Sequence, residues 1–116
     1  GSQFDGVMNY LFTAPTIAFT AGDRVDIEQV KDRSYQPYPA LSAAGYAEKI
    51  QEVLQLYPWE IQLTQLNLLA SHDTARLLTI AGGDKKTVEL SKFLYIISTI
   101  QAYCLQKGKY MYLLVF

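Results

Sequence analysis

The stretch NLLASHDTARLLTIAGGD, residues 67–84, contains both the strongest fold signal and the main group of reactive side chains. Its first four residues form a short apolar run that is typical of a buried strand. Ser71, His72 and Asp73 follow as a polar cluster, and a helical segment then runs until the glycine pair at 82–83 ends it. A strand that leads through polar residues into a helix is typical of parallel βα units.

The segments before this stretch continue the alternation. Residues 4–10, FDGVMNY, predict a strand, and residues 11–20 predict a short helix that Gly22 stops. A polar loop follows and ends in YQPYP, residues 35–39, since each proline favours extended backbone in the residue before it. We interpret this loop as a connector, with an interaction loop as the alternative.

The clearest helix is predicted to start near Ser42, and its apolar residues recur at spacings of four, three, four and three along one face. Those residues are Ala43, Ala47, Ile50, Leu54 and Tyr57. Pro58 begins a short helix to about Leu66, and Asp84 can cap a further helix that is apolar nearly all round. The last residues, 110–116, are a plausible strand. The order of elements therefore predicts an α/β fold.

The composition describes one domain with few places for chemistry. The chain has 116 residues, half of them hydrophobic, and a formal charge of −1. Because there is no basic field, we expect neither nucleic acid nor a membrane surface as partner. No apolar run could span a bilayer and no export leader is evident, so we expect a cytoplasmic location. Gly1-Ser2 is interpreted as a cloning remnant.

A single cysteine and a single histidine limit the chemistry further. Cys104 has no second cysteine to pair with, and we expect it to be a small buried hydrophobic side chain. His72 is the only histidine. We therefore expect neither a metal site nor a cofactor.

The cluster Ser71-His72-Asp73 lies where parallel strands place ligand sites, at the carboxyl end of a strand. A carboxylate there can accept hydrogen bonds from sugar hydroxyls, and an imidazole can donate one. On spacing alone, the favoured alternative is that Ser71 or Asp73 only caps the following helix. Adjacency in sequence does not indicate a Ser-His-Asp triad, because a triad is a spatial arrangement.

Two longer strings carry a family resemblance. FDGVMNYLF, residues 4–12, and PWEIQLTQLNLLASHDTARLLTIAGGD, residues 58–84, resemble the alpha-amylase family of glycoside hydrolases. The similarity is greatest to the cyclomaltodextrinase, neopullulanase and maltogenic amylase subgroup. The second string contains the family's seventh-strand motif, Asn- or Ser-His-Asp followed by Thr-x-Arg. The resemblance covers about residues 3–100, with 41–57 as the sixth barrel helix.

The resemblance implies roles for five residues. Asp73 would be the family's third active-site carboxylate, which hydrogen-bonds sugar hydroxyls and stabilises the transition state. His72 would contact the same sugar. Arg76 matches a recurring position and is either a substrate-binding residue or a structural ion-pair partner. Asn9 and Tyr10, at the end of the sixth strand, would line the substrate cleft.

The resemblance also implies a fold, a partial (β/α)₈ TIM barrel of about two to three βα units. Because such a piece leaves strand edges and helix faces uncovered, we expect self-association, with a dimer as first choice. Residues 3–100 are the barrel segment. Residues 101–116 depart from the family and form a divergent tail, for which a frameshift is our hypothesis.

The departures predict that the chain is inactive alone. Retaining glycoside hydrolysis needs a nucleophile and a general acid, and the family's two carboxylates for these roles have no match here. We therefore expect a fragment of an α-glucan hydrolase that binds α-glucan or maltooligosaccharide at most weakly. The alternative is a non-catalytic structural or self-associating domain.

Overall fold

The computed structural model describes residues 6–33 and 35–106, with side chains up to residue 97. The elements are β1 (Met8–Asn9), α1 (Tyr10–Thr20), two short 3-10 turns (Gly22–Arg24 and Ile27–Gln29), α2 (Ala43–Gln55), α3 (Trp59–Gln62), β2 (Leu66–Asn67), α4 (Leu77–Ile80) and α5 (Lys85–Gln106).

The two strands are parallel, as the sequence predicts. Met8 pairs with Leu66 and Asn9 with Asn67. Both strands are shorter than predicted, and the second lies at 66–67 rather than 67–70. The reason is that β1 passes directly into α1, so no backbone stands opposite the residues after Asn67. The chain is a small mixed α/β unit.

Helix α1 lies at the centre of the described chain, and two of its buried threonines are satisfied within the helix. The hydroxyls of Thr16 and Thr20 each donate to the carbonyl four residues earlier, at 2.8 Å. Such bonds satisfy polar groups that would otherwise be unpaired in the core. The core cluster that packs against α1 consists of Ile17, Ala21, Val25, Val30, Tyr35, Leu77, Ile80 and Ala81.

The predicted helix signals around α2 and α5 are present. The Ser42 hydroxyl accepts from the backbone N–H of Gly45 at 3.1 Å and caps α2. Asp84 precedes α5, and its carboxylate accepts from the Thr87 hydroxyl at 2.8 Å. That hydrogen bond favours the ionised carboxylate and lowers the pKa of Asp84. Gly82 and Gly83, both with positive φ, end α4.

The helix predicted to start near Ser42 is present as α2, and its apolar face is mostly exposed. Of its five residues only Ile50 is partly buried. Tyr46 makes the main packing contact instead, stacked on Phe19 with ring centroids 4.9 Å apart. The stripe at 43, 47, 50, 54 and 57 is therefore open on the described chain.

The C-terminal helix crosses position 101, where the divergent tail is predicted to begin. Helix α5 continues to Gln106, six residues into the segment predicted as a tail. The predicted strand at 110–116 and the burial of Cys104 lie outside the described residues and side chains. None of the helices in the described part of the chain has the length and hydrophobicity needed to cross a membrane.

Candidate functional site

The candidate site lies at the carboxyl ends of the two parallel strands. There the side-chain amide of Asn9 donates to the Asn67 side-chain carbonyl at 2.8 Å, which joins the strand ends across 58 residues of chain. The turn at residues 71–74 follows shortly after β2. The structure therefore brings the two sequence-predicted regions together.

Hydrogen bonds between Ser71 and Thr74 close this turn. The backbone N–H of Ser71 donates to the Thr74 hydroxyl at 3.0 Å, and the backbone N–H of Asp73 donates to the Ser71 hydroxyl at 3.1 Å. Helix α4 begins only at Leu77, after Arg76, with no side-chain cap. Neither Ser71 nor Asp73 caps α4, so the capping alternative is wrong.

The side chains of His72 and Asp73 project from the turn into solvent. Their side chains are 85% and 62% exposed, and the His72 Nε2 lies 3.4 Å from the Asp73 Oδ1. An exposed carboxylate beside an imidazole can accept from one hydroxyl of a ligand while the imidazole donates to another. This arrangement suits a polyhydroxylated ligand.

Tyr10, the first residue of α1, contacts the same turn. Its hydroxyl lies 2.7 Å from the Ser71 hydroxyl, and its ring stacks on Tyr35 with centroids 5.6 Å apart. Burial raises the pKa of the Tyr35 hydroxyl more than the nearby Thr74 side chain lowers it. Tyr10 thus supports the turn from below rather than lining the open site.

The open part of the site is a depression of about 630 Å³. It is lined by Gln29, Asp32, Arg33, His72, Asp73, Thr74 and Ala75. Asn9, Tyr10 and Arg76 are not among the lining residues. Arg76 is exposed, and its side chain forms no hydrogen bond or ion pair with any described residue.

Sequence reasoning missed the residues that face His72 and Asp73. Gln29, Asp32 and Arg33 belong to the loop that we interpreted as a connector. The available signal was local: the polar residues 31–33 lie between Val30 and Tyr35, two apolar residues that are both buried. Polar residues between buried apolar ones in a loop are a local signal that the loop packs on the protein and presents those residues at its surface.

The titratable side chains of the site do not point to a common metal-binding position. Among the residues that the structure describes, no three side chains of His, Cys, Asp or Glu come together in a way that could hold a metal ion. What the lining offers is a mixture of hydrogen-bond donors and acceptors at an open surface.

Several known proteins are similar to this chain in sequence or in fold. No protein-family model matches the chain. A cyclomaltodextrinase of Geobacillus thermopakistaniensis strain MAS1 is 34% identical over 108 residues, which are 93% of this chain and 16% of that protein. A cyclomaltodextrinase of a Bacillus species is 38% identical over 91 residues, 78% of this chain and 13% of the relative.

A solved structure is similar in both sequence and fold. The crystal structure of the debranching enzyme from Nostoc punctiforme superposes with a TM-score of 0.78 and 80% identity, covering 81% of this chain and 19% of that one. The chain therefore spans less than a fifth of the length of these relatives.

The fold and the site together define a class of protein, an α/β unit that carries a polar candidate ligand site at the carboxyl ends of its parallel strands. Together with these relatives, the predicted resemblance is confirmed: the chain is a segment of the alpha-amylase family of glycoside hydrolases.

Proposed function

We propose that this chain forms part of the α-glucan cleft of an alpha-amylase-type barrel hydrolase, as a piece of two to three βα units. The observation that carries the proposal is the exposed pair His72 and Asp73 at the carboxyl end of β2, beside the end of β1. Ligand sites of parallel α/β barrels lie at that end of the strands.

Asp73 has the central role in this proposal. Its exposed carboxylate accepts hydrogen bonds from adjacent sugar hydroxyls, and such bonds strengthen as positive charge develops on the sugar in the transition state. His72 donates to the same sugar. Asn9 and Tyr10 hold the strand ends and the turn, and Arg76 is free to reach substrate or another part of the enzyme.

We further propose that the 116 residues alone do not hydrolyse α-glucans. Retaining hydrolysis requires a nucleophile and a general acid with carboxyl groups about 5 Å apart on either side of the scissile bond. Asp32 is the other carboxylate that lines the depression, but it lies in the loop after α1 and not at the end of a strand. A stabilising carboxylate without the reacting pair does not catalyse the reaction.

The test is an assay of the purified chain on cyclodextrin, pullulan and starch. We expect no turnover above the buffer rate, together with weak binding of maltotriose that Asp73→Ala removes. Asp23→Ala is the matched control, since Asp23 is an exposed carboxylate outside the depression. Turnover that Asp73→Ala abolishes would contradict the proposed inactivity. Binding that Asp23→Ala and Asp73→Ala weaken equally would contradict the proposed cleft.

A second candidate, a self-associating structural domain, is favoured by exposed apolar side chains. Leu66, Phe93 and Leu56 are 60%, 59% and 56% exposed. Large apolar side chains that are this exposed become favourable contacts where another protein surface covers them. In this candidate a second copy of the chain covers these faces, and the particle in solution is larger than 13.1 kDa.

A further inference from the structure

The loop after α1 contains three consecutive polar residues next to buried side chains. Val30 is 1% exposed and Tyr35 is 6% exposed, so Lys31, Asp32 and Arg33 lie between two buried anchors. The backbone N–H of Asp26 also donates to the Ile80 carbonyl at 2.8 Å, which ties the start of this loop to α4. The loop is therefore attached to the same element that follows the His72-Asp73 turn.

Only two of the three residues face the depression. Asp32 and Arg33 line it opposite the 71–75 segment, with Gln29 beside them. Lys31 does not line it, and its ammonium group pairs with Glu28 at 2.6 Å. Neighbours in sequence thus have different environments, which makes Lys31 an internal control.

The chemistry of the lining selects a class of ligand. The Asp32 carboxylate offers two acceptors and the Arg33 guanidinium offers several donors in one plane, so each can bind a pair of adjacent hydroxyls. The charges of Asp32, Arg33 and Asp73 include both signs in one small area. A strongly anionic or cationic ligand would meet a like charge there, whereas a neutral polyhydroxylated ligand would not.

We propose that Asp32 and Arg33 form a sugar-binding wall opposite His72 and Asp73, and that this wall determines which α-glucan units the cleft accepts. The inference rests on the proposed α-glucan function. It adds a specificity role for the loop after α1, whose residues lie outside the family motif. Asp32 and Arg33 hydrogen-bond the ligand and take no part in proton transfer.

The experiment is a titration of the isotope-labelled chain with maltotriose, followed by amide chemical shifts. We expect shifts in both the 29–33 and 71–75 segments. Asp32→Asn and Arg33→Gln should each raise the dissociation constant about fivefold to tenfold, because each removes charge-assisted hydrogen bonds. Lys31→Ala should leave it within about twofold, since its side chain makes no contact with the depression. Unchanged dispersion of the spectra establishes that each variant is folded.

The outcomes separate the two proposals. Asp73→Ala could abolish binding while Asp32→Asn and Arg33→Gln bind as the unmodified chain does. In that case the proposed wall is wrong, and the proposed α-glucan cleft is still supported. If Lys31→Ala weakens binding as much as Arg33→Gln, the loop acts only through its fold and the wall is again wrong. If maltotriose shifts no resonance of the unmodified chain, the proposed α-glucan site itself fails.

Discussion

The Ser71 hydroxyl is the point at which the two halves of the site meet. It accepts a hydrogen bond from the Asp73 backbone N–H at 3.1 Å and lies 2.7 Å from the Tyr10 hydroxyl, 61 residues away in sequence. The orientation of the turn that carries Asp73 therefore depends on Tyr10. Tyr35 stacks on Tyr10, yet its own buried hydroxyl has no hydrogen bond of ordinary geometry to any described residue.

These two tyrosines provide a matched pair of substitutions. Tyr10→Phe should lower the free energy of unfolding by about 1 kcal/mol, because Ser71 loses a hydrogen-bond partner at a partly buried position. Tyr35→Phe should leave it unchanged or raise it slightly, because it removes a buried hydroxyl that has no hydrogen-bond partner among the described residues. Urea unfolding followed by circular dichroism measures both. Equal losses for the two variants would contradict this assignment.

At the scale of elements, the helix ends could be predicted from sequence because their signals are local. The Ser42 cap, the Asp84 cap and the glycine pair 82–83 each act within about one helical turn. The strand lengths could not be predicted, since pairing depends on how much backbone stands opposite. Residues 66–67 pair only because Met8 and Asn9 lie beside them.

The difference between local signals and long-range packing also explains which part of the site could be predicted. His72 and Asp73 follow a short apolar run, and this local pattern carries the signal for a site at a strand end. Asp32 and Arg33 lie about 40 residues earlier in the chain, and tertiary packing brings them to the depression. The exposure of the apolar stripe of α2 has a related cause. Periodicity predicts that a face is apolar, but not which neighbour covers it.

The segments that precede the two strands approach each other closely at Gly6, and this contact makes a prediction. A Cβ atom added there would lie 2.1 Å from the Thr64 backbone carbonyl oxygen, so the backbone must move to accept it. We expect Gly6→Ala to lower the free energy of unfolding by about 1–3 kcal/mol, the usual cost of overpacking. It should also speed hydrogen exchange at the Leu66 amide, which donates to the Val7 carbonyl at 3.0 Å.

Gly45→Ala is the control for this substitution. Gly45 lies in α2, and a Cβ there would meet the Ser42 hydroxyl only at 3.4 Å. Because alanine favours the helix, this variant should raise the free energy of unfolding by about 0.5–1 kcal/mol and leave the exchange of Leu66 unchanged. If Gly6→Ala behaved like Gly45→Ala, the close contact with Thr64 would be wrong.

At the scale of the whole molecule, apolar side chains stay exposed along α5. Phe93 is 59% exposed, Ile96 is 52% exposed and Leu90 is 44% exposed, and their spacing of three places them along one side of the helix. The described chain provides no surface that covers this side. Either the rest of a barrel enzyme or another copy of the chain can bury it, and the chain in isolation has only the second option.

The mass of the particle in solution tests this reasoning, with Phe93 as the probe. We expect light scattering after size-exclusion chromatography to give more than 13.1 kDa for the unmodified chain, with a dimer as first choice. Phe93→Lys should weaken a symmetric dimer about 10- to 100-fold, because each copy loses the burial of an aromatic ring. Glu89→Gln changes the charge by the same amount on the same helix without removing apolar surface, so its assembly should be unaffected. A monomer at every concentration tested would contradict self-association, and an unchanged dimer in Phe93→Lys would place the interface away from this side of α5.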